Sequence, residues 1–219
     1  MLQMEPTPKG AGVTLYGDYW DLDALHETIH ALSGDDAPFT LHVQETVLAL
    51  AYEVRHCYQG DREVRELEDL KGKRTIYYGV KLIWPLLLWQ VSALRWSAAF
   101  IPTTKSIQAS LYLLEHCIEE SLLEQDRETG EKCIGWMRSF HGISTNYLPS
   151  YIDEISHSYL FSGPQGKSRF KKLPWHLNAL SGISNNYREY EEHLKTVAKE
   201  KNCSPQELQS VADWPQIKW

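Results

Sequence analysis

Leu82–Phe100, LIWPLLLWQVSALRWSAAF, is the longest apolar stretch of the chain, and it constrains the fold more than any other feature. A membrane-spanning helix needs about 20 consecutive apolar residues. This run is bounded by Lys81, carries Gln90 and Arg95, and is divided by Pro85. A residue before proline is pushed towards extended backbone, so the sequence predicts that Trp84 ends a strand. Proline is well tolerated in the first helical turn, so a helix is expected from Pro85. A helix that is apolar on most of its sides belongs inside a core.

The segments on either side carry stripes that can pack on this helix. Leu22, Leu25, Ile29 and Leu32 fall at helical spacing, with Asp21 as the expected N-cap. Leu41–Tyr58 places Val43, Val47, Leu50, Val54 and Cys57 on one side. Ile107, Leu111, Leu114, Ile118 and Leu122 make the clearest amphipathic stripe, capped by Thr103 or Thr104. Further helices are expected near Thr129–His141, with Phe140 inward and Gly142 as the stop, and at Tyr147–Phe161, Arg169–Leu180 and Tyr187–Lys201. Ser204–Glu207 reads as a capping box opening a last helix to about Ala212. Val13–Gly17, Glu63–Leu67 and Thr75–Trp84 have strand character, the last with strict alternation. Met1–Gly12 reads as a loop rich in proline and glycine.

The expected class is therefore α+β and predominantly α-helical. A helical bundle surrounds Leu86–Phe100, beside a small N-terminal antiparallel sheet. At 219 residues the chain is expected to form one domain, with the sheet and first two helices in 12–84 and the bundle in 85–212. A formal charge of −7 argues against a dedicated nucleic-acid binder. Cys57, Cys117, Cys133 and Cys203 are scattered, with no C-x-x-C pair, which points to reduced thiols in the cytoplasm. Eight tryptophans supply enough apolar area for a core or for a subunit interface, and a homo-oligomer is the expected state.

Two stretches carry chemistry. His26-Glu27-Thr28-Ile29-His30 matches H-E-x-x-H, in which two imidazoles one helical turn apart hold Zn²⁺ and the glutamate activates its water. The five residues resemble the zincin metallopeptidase signature. One short strand precedes them where zincins build a sheet, the helix is brief, and a third ligand is needed from residues such as Glu45 or Glu53. A zinc-dependent hydrolase with Glu27 as base and His26 and His30 as ligands is thus an alternative, not the leading expectation.

The second stretch is Tyr52–Arg62. Tyr52, Arg55, His56 and Gln59 share a helical side, and Asp61 and Arg62 follow in the turn. They form a candidate site for a small anionic or polar ligand, since arginine grips carboxylate or phosphate in a bidentate manner and histidine shuttles protons near neutral pH. The bland alternative is a solvated helix side or a polar network joining helix to sheet.

YEVRHCYQGDRE (Tyr52–Glu63), YYGVKLIWP (Tyr77–Pro85) and GVTLYGDYWDLDAL (Gly12–Leu25) resemble an uncharacterised bacterial family over roughly the first half of the chain. That resemblance implies no activity, because the family has none assigned. Gly163–Ser168 ends like a phosphate-binding loop but has Phe161 where the motif requires glycine. Lys167, Arg169, Lys171 and Lys172 form a basic run able to touch a nucleic-acid backbone, though such runs are usually solvated helix starts. Without a complete catalytic set, the leading expectation is a non-catalytic binding and assembly protein without cofactor. The zinc hydrolase comes second and a nucleic-acid-associated helical protein third.

Overall fold

A computed structural model describes residues 1–68, 72, 74–139, 147–161, 163–181, 184–208 and 216–219. Two strands open the chain, β1 (Gln3–Pro6) and β2 (Gly12–Gly17), followed by helices α1 (Tyr19–Ser33) and α2 (Leu41–Tyr58). A hairpin, β3 (Glu63–Glu68) and β4 (Arg74–Ile83), runs directly into α3 (Trp84–Ser97). The remaining helices are α4 (Lys105–Gln125), α5 (Arg127–Arg138), α6 (Leu148–Phe161), α7 (Lys167–Phe170), α8 (Leu173–Ala179) and α9 (Asn185–Lys201), with a 3₁₀ turn at Pro205–Glu207. The class is α+β, mostly helical, with one small antiparallel sheet in the order β1-β2-β4-β3.

α3 is buried on nearly every side. Trp84, Leu88, Trp89, Val91, Ala93 and Leu94 have no accessible surface. Its two polar interruptions are satisfied. Gln90 donates to the Thr46 carbonyl at 2.8 Å, and Arg95 makes a two-pronged ion pair with Glu115. The strand-to-helix break falls between Ile83 and Trp84, one residue before the expected position, with Pro85 in the first turn.

The sheet gains a strand over the expectation, because Gln3–Pro6 pairs with β2 in the register Gln3↔Tyr16 to Pro6↔Val13. Leu2, Met4 and Pro6 alternate with the exposed Gln3 and Glu5. The proline and glycine content of the following turn hides that alternation. The outer edge of β1 is closed by α4, where Ser121 Oγ donates to the Met4 carbonyl at 2.9 Å. β2 and β4 pair from Gly12↔Ile83 to Gly17↔Tyr78. Gly79 is a packing requirement, since a Cβ there would lie inside the Tyr16 ring. The Tyr16 hydroxyl donates to Glu63 at 2.8 Å.

Three helical segments depart most from expectation. α1 begins earlier, because Asp18 is its N-cap. The Asp18 carboxylate accepts from Asp21 N, and Asp21 accepts from Asp18 N in return. The helix expected over Arg169–Leu180 is broken into α7 and α8, with Pro174 opening the second piece. The capping box at Ser204 is present but supports only a single 3₁₀ turn through Glu207. Phe140, His141, Gly142 and positions 209–212, where stops and a last helix were expected, lie outside the described residues.

α1 is tied to both neighbours at its C-terminus. The last carbonyls of a helix have no partner within it. Here Ser97 Oγ of α3 donates to the Leu32 carbonyl at 2.6 Å, and Gln44 Nε2 of α2 donates to the Ser33 carbonyl at 2.7 Å. Leu22, Leu25, Ile29 and Leu32 are buried, so the rotation of α1 about its axis is set. His26 and His30 are consequently turned towards α2.

Candidate functional site

Packing of α1 against α2 brings the two chemical stretches together. A cavity of about 430 Å³ lies between the helices, with His26 and His30 on one wall and Glu45, Tyr52 and Arg55 on the other, over Leu48 and Ala49. The α2 residues follow from its period. With Val43, Val47, Leu50, Val54 and Cys57 buried, positions 45, 48, 49, 52 and 55 turn towards α1.

His26 Nε2 and His30 Nε2 are 3.2 Å apart, with the rings 63° from coplanar. Partial desolvation of His30, helped by the adjacent His26 ring and by the Arg55 charge, holds its pKa below the ordinary histidine value. His26 Nδ1 is buried without a hydrogen bond, and the Glu27 carboxylate stands 3.5 Å from it, off hydrogen-bonding geometry. Glu27 is therefore on the Nδ1 side of His26, away from the paired Nε2 atoms. That placement does not suit a base for water held between the Nε2 atoms. Among the described residues no group of three or more His, Cys, Asp and Glu side chains gathers as a metal centre. The zinc hydrolase alternative is accordingly not favoured.

The Tyr52–Arg62 residues divide between two sides of α2. Tyr52 is half exposed and is flanked by Arg55, whose guanidinium carbon lies 5.3 Å from its ring centre, and by the His56 ring at 4.3 Å. His56 Nδ1 is held by Asp61 Oδ2 at 2.6 Å. Gln59 is exposed and ends α2 with its backbone N–H on the Arg55 and Cys57 carbonyls. Arg62 lies on the opposite side, bound by both oxygens of Glu53 at 3.0 and 3.1 Å. Asp61 and Arg62 border a second cavity of about 570 Å³ with Lys81, Leu86 and Trp219. Tyr52 and Arg55 alone of this stretch thus join the histidines. Leu48 and Ala49 were not singled out in the sequence, although their spacing from Tyr52 places them on its side.

Arg55 differs in its electrostatics from the arginines that are paired to carboxylates. Arg62, Arg65, Arg95 and Arg138 each meet a carboxylate. Arg55 makes no ion pair among the described residues and lies over the π-face of Tyr52. The basic run at 167–172 is partly consumed inside the fold. Lys167 pairs with Asp126 at 3.0 Å, and Arg169 is buried on backbone carbonyls.

No curated protein and no solved structure matches the chain. One family model does, over residues 2–219, so the match is not confined to the N-terminal half. With nearly its whole length matched, the chain belongs to the family described as Domain of unknown function (DUF6904).

Proposed function

We propose that the chain is a non-catalytic binding protein that takes a small oxyanion, a carboxylate or a phosphate, in the cavity between α1 and α2. The observation that carries this reading is Arg55, a guanidinium bordering a concave site and ion-paired to none of the described carboxylates. Its planar fork matches a carboxylate or phosphate edge. The imidazoles of His26 and His30 supply further polar contacts, and Leu48 and Ala49 give an apolar floor for a short organic body. The free thiols fit residence in a reducing compartment such as the cytoplasm. Among the described residues no helix is long and apolar enough to cross a membrane.

Calorimetric titration of the chain with inorganic phosphate and with succinate, in the presence of a metal chelator, tests the reading. A charged hydrogen-bonded contact is worth about 1.5–3 kcal/mol, so Arg55→Gln is expected to weaken binding at least tenfold. Arg55 is exposed, so the variant keeps the fold. No binding of either anion, or equal binding by Arg55→Gln, overturns it. Self-association belongs to the same proposal, because Trp20, Phe100 and Trp175 are 75%, 61% and 63% exposed. Light scattering that shows a strict monomer at high concentration removes that part.

A further inference from the structure

We propose that His26 and His30 bind one divalent transition-metal cation through their Nε2 atoms, with water or a small anion in its remaining positions. This goes beyond the oxyanion reading and does not rest on it. The carrying observation is the 3.2 Å separation of the two Nε2 atoms. Two nitrogens about 2.0–2.1 Å from one tetrahedral ion stand roughly 3.3 Å apart, so the pair already has the bite of a chelate. The rings come from positions i and i+4 of one helix, whose buried stripe and tied C-terminus hold them there without further folding. Imidazole suits zinc, nickel and copper among the divalent ions.

The second observation lies on the other edge of the ring. His26 Nδ1 is a buried nitrogen with no hydrogen bond, and a carboxylate oxygen of Glu27 stands 3.5 Å away. Metal-ligating histidines commonly present their other nitrogen to a carboxylate, which fixes the tautomer and strengthens the donor. With Nδ1 protonated towards Glu27, the His26 lone pair at Nε2 faces His30 Nε2, whose N–H it can accept at 3.2 Å. A cation between the rings takes the place of that proton. Neutral imidazoles bind by shifting their N–H to Nδ1, so the charge balances with no proton released. Glu27 is then the partner of Nδ1, not the water-activating base of the zincin pattern.

Two protein ligands give a chelate open to solvent, in a cavity that Glu45 and Arg55 also line. The test is titration of chelator-stripped protein with Zn²⁺ in phosphate-free buffer, read by calorimetry. One equivalent is expected to bind. His26→Gln and His30→Gln should each weaken it at least tenfold, and Glu27→Gln about tenfold. His193→Gln, on α9 away from the cavity, should leave it unchanged. Thermal midpoints of the variants establish that they fold. Substoichiometric Zn²⁺, an unchanged affinity in His30→Gln, or an equal loss in His193→Gln overturns the site. An unchanged affinity in Glu27→Gln overturns the role given to Glu27. The oxyanion titration is run with chelator and this one without phosphate, so either proposal can fail alone.

Discussion

Ser97 Oγ donates to the Leu32 carbonyl at 2.6 Å, across 65 residues of sequence and with Ser97 fully buried. This bond joins the end of the central helix α3 to the end of α1, two residues from His30. Ser97→Ala leaves a buried carbonyl without its donor, which costs about 1–3 kcal/mol. For a chain of this length each kcal/mol lowers the thermal midpoint by about 2–4 °C. Differential scanning calorimetry of Ser97→Ala should show that drop. A midpoint equal to that of the parent would mean that α1 is held by its apolar stripe alone.

Arg169 is 5% exposed and has carbonyls for partners. It donates to Lys9 at 3.1 Å, to Leu160 at 2.8 Å and to Lys218 at 3.4 Å. One guanidinium therefore pins three distant segments, while burial lowers its pKa from the ordinary arginine value. Arg169→Leu orphans those acceptors and should cost about 2–4 kcal/mol in urea unfolding. Arg169→Lys should recover only part of this, because one ammonium on a flexible stem cannot reproduce the fork.

His176 is buried beneath Tyr159 and Trp175, and burial pushes its pKa down to about 4, with Lys172 adding to the effect. The unfolded chain, with its histidine near 6.5, binds more protons than the folded one between those values. Stability is full above about pH 6.5 and falls as the pH drops towards 4. The loss from this one group is about 2–3 kcal/mol. Urea unfolding at pH 7 and pH 4.5 should show a smaller difference for His176→Phe than for the parent. An equal difference in both proteins would exclude His176 as the source.

α2 is legible in the sequence as far as the turn at Gly60. Its buried stripe, Val43 to Cys57, was legible from period alone, because burial of one helical side is a local pattern. The same period placed Tyr52, Arg55 and His56 on the outer side. It could not say that Arg62 turns back onto Glu53, since that depends on the path of the chain after Gly60, which takes a positive φ of 84°. Nor could it say that His56 is engaged by Asp61 across the same turn.

What the amino-acid order determined by itself was the helical core around Leu86, the hairpin that feeds it and the identity of the exposed polar residues. These follow from periodicity and from the backbone limits of Pro85 and Gly60, which act within a few residues. The meeting of His26 and His30 with Arg55 was decided only in three dimensions. It depends on how α1 rotates against α2, and that rotation is set by Leu22, Leu25 and Ile29 in the core and by Ser97 and Gln44 at its last carbonyls. A site divided between two helices is a property of their packing, because no local pattern records the angle at which two amphipathic stripes close on one another.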